Sequence, residues 1–335
     1  MTGHLQEASG FIQLEKLYKH FGPQLTLGDK IAHRLGAKVE TRSVRAVDNV
    51  SLAIARGQTL GLVGESGCGK STLGRMVAGI IAPDKGSVQV DNAPVMSGGL
   101  KVDTRVQMIF QDPFASLDPR MRIGDIVSEG PLVHGLTDKE NAADYAAGYL
   151  VRAGLDPSLA RRFPHQFSGG QRQRIAIARA LAMQPEVLVC DEPVASLDVS
   201  IQAQIINLFL KLQRDLGLTL IFISHDLSVV RHLSDRVAVM YLGKIVEEGP
   251  AEQVYTAPCH PYTKGLLASV PRLVLDEDAL VTLDVIKGEI PSPLSPPEGC
   301  NFSPRCPIFT EECRKRDPQL REIKPSQFAA CHFAK

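Results

Sequence analysis

The sequence predicts an α/β protein: a largely parallel sheet covered on both faces, with a helical insertion and a smaller C-terminal appendage. Three observations predict it. Strand-like and helix-like segments alternate as far as about residue 250. The segments read as strands are continuous apolar runs, such as QTLGLV (58–63), VLVC (187–190) and LTLIFI (218–223). Such runs suit strands buried on both faces. Beyond about residue 256 the composition shifts to a proline cluster, PSPLSPPEG (291–299), and then to four cysteines.

The elements follow in order. Residues 11–17 (FIQLEKL) alternate in part and predict an edge strand. The polar stretch 22–43 has no period and reads as a loop or lid. Residues 44–55 and 58–63 predict strands, the second running into a glycine-rich loop, and 71–81 has helical character. Residues 106–110 (VQMIF) predict a short strand. From 112 to about 183 the pattern becomes helices with loops, clearest at 139–153 and 170–183. Strand 187–190 precedes a helix over 201–216, ended by Gly217 where a C-cap glycine belongs. Strand 218–223, helix 227–233 and strand 237–240 complete the pattern.

Composition narrows the function classes. The 335 residues suit two domains, or one large domain with an appendage. Thirty-seven basic and thirty-seven acidic residues cancel, so no broad basic field favours nucleic acid. The longest uninterrupted apolar run is the six residues 237–242, against about 20 needed to span a bilayer. The N-terminus, MTGHLQEASG, is polar and lacks a signal-peptide core, so a cytosolic protein is expected. Four of the seven cysteines (Cys300, Cys306, Cys313, Cys331) crowd into the last 36 residues. In a reducing compartment, clustered thiols are more often metal ligands than disulfides.

The chemistry begins at GESGCGKST: Gly64, Glu65, Ser66, Gly67, Cys68, Gly69, Lys70, Ser71 and Thr72. It matches G-x-x-x-x-G-K-[ST], follows an apolar strand and opens a helix, as a phosphate-binding loop must. Glycines let successive N–H groups turn inward, and the helix N-terminus adds partial positive charge. Lys70 can reach the β- and γ-phosphates of a nucleotide, and the Ser71 hydroxyl can ligate Mg²⁺. Cys68 is expected to be a small tolerated side chain. VLVCDE then places Asp191 and Glu192 at the exit of a buried strand. This pair suits a Mg²⁺ ligand, Asp191, beside a general base for water, Glu192.

FSGGQRQR (167–174) lies between these two motifs, and here the chain resembles the ATP-binding cassette (ABC) ATPases, whose signature is LSGGQ. Phe167 stands in first place, followed by Ser168, Gly169, Gly170 and Gln171. Gln111 (MIFQDP) looks like the Q-loop glutamine, Ser196-Leu197-Asp198 like the D-loop, and His225 (IFISHD) like the switch histidine. The family usually reads SALD where this chain reads ASLD (195–198), with the aspartate kept. The resemblance implies an ABC nucleotide-binding domain over 11–255, with its helical insertion at about 112–183, and an extension over 256–335. ATP and Mg²⁺ would be shared across a dimer. Ser71, Gln111 and Asp191 would serve the metal, and Asp198 and 168–171 would serve the partner's nucleotide. Lys70, Gln111, Glu192 and His225 would act in hydrolysis. Phe21 sits where the family stacks adenine, with Tyr18 second in line.

The extension narrows the branch. HPYTKGLL (260–267) and GEIPSPLSPPEGCNFSPRCP (288–307) resemble the C-terminal region of oligopeptide and dipeptide importer ATPases. VRAVDNVS (44–51) and ESGCGKSTLGR (65–75) look most like the F-type ATPase of dipeptide systems. This implies a peripheral protein on the cytoplasmic face of the inner membrane. It would bind two membrane-spanning permease subunits and a second, related ATPase subunit, with an extracytoplasmic protein delivering di- or oligopeptides. Relatives of this branch also carry nickel, opines or glutathione. A soluble ABC ATPase working on nucleic acid or ribosomes is the rival of another class, and an ATP-binding regulator without turnover is a third reading. The cysteine spacing, C-x5-C-x6-C-x17-C, lacks the short pairs usual for zinc. Similar cysteine sets in the branch point instead to a [4Fe–4S] cluster on Cys300, Cys306, Cys313 and Cys331, with zinc or free thiols as alternatives.

Overall fold

The computed structural model describes residues 10–22, 43–269 and 286–335. Most of the expected lid at 22–43 lies outside the described residues.

Strand β1 (Ile12–Phe21) pairs antiparallel with β2 (Val44–Ile54) on one side and with β4 (Lys85–Val90) on the other. It is therefore an inner strand, not the edge strand that its alternation suggested. The alternation reflects one buried and one wetter face. Between β2 and β4 run β3 (Thr59–Val63) and helix α1 (Lys70–Val77). The helix stops short of the expected residue 81, because Gly79 turns to φ +70°. Two-residue strands β5 (Ala93–Pro94), β6 (Met96–Ser97) and β7 (Leu100–Lys101) form small hairpin pairs before β8 (Val106–Ile109).

The helical block holds α2 (Ile123–Val133), α3 (Ala142–Arg152) and α4 (Gly169–Ala182), packed on one another. The chain then returns to alternation with β9 (Val187–Asp191), α5 (Val199–Leu216), β10 (Thr219–Ile223), α6 (Leu227–Leu233) and β11 (Arg236–Tyr241). Gly217 ends α5 in the left-handed region, φ +64°, as its position predicted.

Strands β8, β9, β10, β3 and β11 form the parallel sheet, in that order. Beyond β11 the sheet turns antiparallel through β12 (Lys244–Pro250). Helices α7 (Ala251–Thr256) and α8 (Pro261–Ala268) follow, and later α9 (Glu311–Lys315). Two short C-terminal strands, β13 (Arg321–Lys324) and β14 (Gln327–Ala329), then join β12 in the order β12, β14, β13. One sheet therefore runs from the nucleotide-binding region into the C-terminal residues.

The two-residue period of the strands divides the interior. Val187, Val189, Ile221, Ile223 and Met240 face one core, shared with α1, β1, β2 and β4. Leu188, Cys190, Leu220, Phe222 and Tyr241 face the other, shared with α2 to α6. Continuous apolar runs are what such a doubly covered sheet requires. No described helix is long and apolar enough to cross a membrane.

Candidate nucleotide site

Parallel strands all point their C-terminal ends to one edge of the sheet, and loops leaving that edge can converge. Strands β8, β9, β10 and β3 lie side by side. They are followed by Gln111, by Glu192 directly after Asp191, by His225 and by the loop 64–72. Sheet order thus gathers residues that are far apart in sequence.

The loop between β3 and α1 has a shape that only glycine allows at two points. Gly64 has φ +152°, and a Cβ there would stand 2.2 Å from the Met240 carbonyl oxygen. Gly69 has φ +109°, and a Cβ there would stand 2.0 Å from the Ala46 carbonyl oxygen. The loop closes around the Lys70 ammonium, which donates to Gly64 O (2.7 Å) and Glu65 O (3.1 Å) and is 4% exposed. Cys68 is buried, and burial pushes its thiol up, so the small-side-chain reading of this residue suits its surroundings.

The Ser71 hydroxyl donates to Asp191 Oδ1 at 2.8 Å. Burial holds the Asp191 carboxyl above the ordinary carboxylate range, against the lowering effects of Ser71 and Arg75. A hydroxyl and a buried carboxylate side by side form an all-oxygen donor set, which suits Mg²⁺. Glu192 leaves the strand with φ +46° and its N–H donates to Ile223 O at 3.0 Å. A left-handed backbone at a non-glycine residue costs roughly 1–2 kcal/mol. That conformation sets a carboxylate that Gln111 Nε2 meets at Oε2 (2.9 Å) and His225 Nδ1 approaches at 3.3 Å. The Glu192 side chain is only 12% exposed, whereas His225 is open to solvent.

The signature forms a separate group. Ser168 caps α4: its Oγ accepts from the Gln171 N–H, and the Gln171 Oε1 accepts from the Ser168 N–H. This reciprocal capping box explains the serine and the glutamine locally. Gly169 lies against Leu197, and Ile201 leaves no room for a Cβ at Gly170, which would stand 2.5 Å from Ile201 Cγ2. Ser168, Gly169, Gln171 and Asp198 are exposed, and Gly169 brings this helix N-terminus against Leu197 of the 196–198 turn. Phe21, 44% exposed, pairs with Val44 two residues along β2 from the Ala46 carbonyl that touches Gly69. Tyr18 pairs with Lys85 of β4 and lies under its ammonium.

Two residues with no expected role at the site reach the loop. The Glu65 N–H donates to Tyr262 Oη at 2.9 Å. The Glu65 carboxylate takes both terminal nitrogens of Arg305, at 2.7 and 2.9 Å. Both contacts come from the segments 260–267 and 288–307, where only a branch resemblance had been visible.

The cysteine expectation needs correction. Among the described residues, no group of three or more His, Cys, Asp or Glu side chains is placed to hold a metal ion. Cys313 and Cys331 are buried, while Cys300 and Cys306 pack against the larger apolar core. Burial pushes the Cys300 thiol up to about 11, with the neighbouring cysteines adding to the rise, and raises Cys306 likewise. Neither the iron–sulfur cluster nor zinc is supported among the described residues.

Comparison with known proteins agrees with this geometry. Residues 47–195 match the ABC transporter family, and residues 246–313 match the oligopeptide/dipeptide transporter C-terminal region. A putative peptide import ATP-binding protein of Brucella ovis is 48% identical over 303 residues, covering 89% of this chain and 95% of the relative. The oligopeptide transport ATP-binding protein OppF of Salmonella typhimurium is 49% identical over 287 residues, covering 83% and 85%. A dimeric ATP-binding cassette solved in a post-hydrolysis state with ADP and Pi superposes with TM-score 0.59 at 28% identity, covering 72% of this chain and 98% of that one. The chain belongs to the ABC transporter ATP-binding family, in the branch that carries the oligopeptide/dipeptide C-terminal region.

Proposed function

We propose that this ATPase energises the import of di- and oligopeptides, docked on the cytoplasmic face of two membrane-spanning permease subunits. In this reading residues 11–255 form the nucleotide-binding domain and 256–335 its extension. One observation carries the catalytic half. Gln111, Glu192 and His225, from three separate strand ends, meet at a single carboxylate oxygen beside the Ser71–Asp191 pair. The named activity of the Brucella and Salmonella relatives supports peptide as the solute.

The residues divide the work. Lys70 and the free N–H groups of the loop bind the β- and γ-phosphates, and Phe21 stacks on adenine. Ser71 and Asp191 would hold Mg²⁺, which would supply neutralisation of phosphate charge. Glu192 takes a proton from the attacking water. Gln111 and His225 hold its carboxylate in place and set donors toward the transferred group. Ser168 to Gln171, opening α4 on an exposed face beside Asp198, serve the nucleotide of a second, related ATPase chain. ATP then closes the pair and hydrolysis releases it. A solute-binding protein delivers the peptide from outside.

The test is uptake of labelled di- and tripeptides, with nickel in parallel, comparing wild type with Lys70→Ala at equal protein level. Loss of peptide uptake alone is expected. Loss of nickel uptake alone would move the assignment to a metal importer, and survival of both fluxes would overturn it.

A further inference from the structure

Glu65 is the first variable residue of the phosphate loop, and all three of its polar groups are taken. Its carbonyl accepts from the Lys70 ammonium at 3.1 Å. Its N–H donates to Tyr262 Oη at 2.9 Å, and its carboxylate grips Arg305 through two parallel bonds of 2.7 and 2.9 Å. The first partner belongs to the loop itself. The other two come from the extension, 197 and 240 residues further along the chain.

Both outside partners are rigidly held. Tyr262 is fully buried on α8, with ring centroids 4.6 Å from Tyr241 and 5.4 Å from Phe302. Helix α8 is itself fixed at its start. The His260 ring Nδ1 accepts from the Tyr262 N–H, and Glu247 of β12 accepts the His260 N–H. The Arg305 side chain is 5% exposed and lies on Tyr241, whose hydroxyl it approaches at 3.5 Å. Contact with Glu65 raises the Arg305 guanidinium further above its ordinary range, so its charge is permanent. A planar fork meeting a carboxylate fixes orientation as well as distance.

Such bracing matters in this loop more than elsewhere. Gly64, Gly67 and Gly69 crowd six residues, and glycine has the most conformational freedom to lose when a loop must take one shape. Holding a loop in its binding shape beforehand improves affinity by removing that cost from the binding step.

We propose that Tyr262 and Arg305 are positioning residues for ATP: by clamping Glu65 they keep the phosphate loop in its nucleotide-receiving shape, so the C-terminal extension is a working part of the ATP site. The inference rests on reading 64–72 as the phosphate loop. Both residues act on affinity for the nucleotide, and neither touches the reacting atoms.

The experiment measures ATP binding by titration calorimetry, KM and kcat for hydrolysis, and melting temperature without nucleotide, all on the full chain. Tyr262→Phe is the central variant, since it removes one hydroxyl and leaves the ring packing. Arg305→Met and Arg305→Lys follow, each also in a Glu65→Gln background. Tyr262→Phe and Arg305→Met are expected to raise the Kd and KM for ATP about tenfold, equivalent to 1.4 kcal/mol, with kcat at saturation kept. Arg305→Lys should fall between Arg305→Met and wild type. Arg305→Met should add little once Glu65 is Gln, because both act through one pair. Should Arg305→Met fail to fold, the Tyr262→Phe affinity still decides. Lowered melting with unchanged Kd and KM would overturn the inference, leaving a mere anchor for the extension. Lys70→Ala is run alongside. If it binds ATP normally, the loop reading itself has failed, and if it loses ATP while Tyr262→Phe does not, only the clamp has.

Discussion

Replacing Glu192 with glutamine separates the charge of the carboxylate from its shape. The side chain is 12% exposed and its Oε2 accepts from Gln111 Nε2 at 2.9 Å. A glutamine whose amide oxygen takes that place keeps the bond to Gln111. Its volume is nearly unchanged, and the strained backbone at φ +46° is as accessible to glutamine as to glutamate. Folding stability should therefore move by no more than about 0.5 kcal/mol. Nucleotide affinity should stay within about threefold, because Lys70 and the loop N–H groups are untouched. What disappears is the group that takes the proton, and general-base help is worth roughly 10²–10⁴ in rate. That corresponds to about 2.7–5.4 kcal/mol of barrier. Single-turnover hydrolysis of γ-labelled ATP, with acid quench, reads the chemical step free of product release. A rate within about threefold of wild type would refute the assignment of Glu192 as the base. A normal rate with lost ATP affinity would instead make it a binding residue.

Asp191 and Glu247 give two more tests. Burial holds the folded Asp191 carboxyl above the ordinary range, so the folded protein without nucleotide holds that proton more firmly than the unfolded chain. The contribution is fully present below the unfolded value of about 3.9 and is lost as pH rises through the folded one. Asp191→Asn, which cannot ionise, should therefore melt above wild type at about pH 8, with the gap narrowing toward about pH 4. A gap that is independent of pH would refute this, and melting without Mg²⁺ or nucleotide measures it. Glu247 is wholly buried and accepts from the Cys259 N–H (2.7 Å), the His260 N–H (2.8 Å) and Gln327 Nε2 (2.8 Å). Glu247→Ala orphans three buried donors at about 1–3 kcal/mol each before relaxation. A loss of at least about 3 kcal/mol in urea unfolding is expected, and one below about 1 kcal/mol would show the stitching to be dispensable.

The residues that sequence could place are those whose chemistry is local. The loop 64–72 is contiguous, its glycines are required by its own backbone, and the strand before it is a plain apolar run. The strand ends carrying Gln111, Asp191 and His225 were legible for the same reason, since each follows a buried strand directly. Pairing was harder to read. β1 looked like an edge because its neighbour β4, KGSVQV, is polar at its start and gave no strand signal. The C-terminal strands, four and three residues long, are too short for a period to emerge. The cysteines misled for a related reason. Nearness in sequence does not make a metal site, and in the folded extension Cys300 and Cys306 pack against the larger apolar core, where burial raises both thiols.

The position of the extension follows from the sheet. Strand β11 is the last parallel strand, and its neighbour β12 runs antiparallel, so the chain that continues from β12 emerges beside the start of β11, where the Ala251 N–H donates to Asp235 O at 2.9 Å. The phosphate loop leaves the opposite end of β3, beside the turn that leads into β12: the Gly243 N–H in that turn donates to Cys68 O at 2.9 Å. A segment added after β12 must therefore fold back along the sheet to reach the loop, as the segments bearing Tyr262 and Arg305 do. An apolar layer would be enough to cover β12. This chain instead sets a buried phenol and a buried guanidinium against one glutamate of the loop. A buried arginine–carboxylate pair is a poor way to gain stability alone, because desolvation offsets much of the attraction. Its two-pronged geometry does fix direction. A loop that must hold one shape before its ligand arrives gains more from fixed direction than from a few more apolar contacts. The spacing of 240 residues between Glu65 and Arg305 put this pair beyond any sequence pattern, and the extension must run back along the sheet before the two can meet.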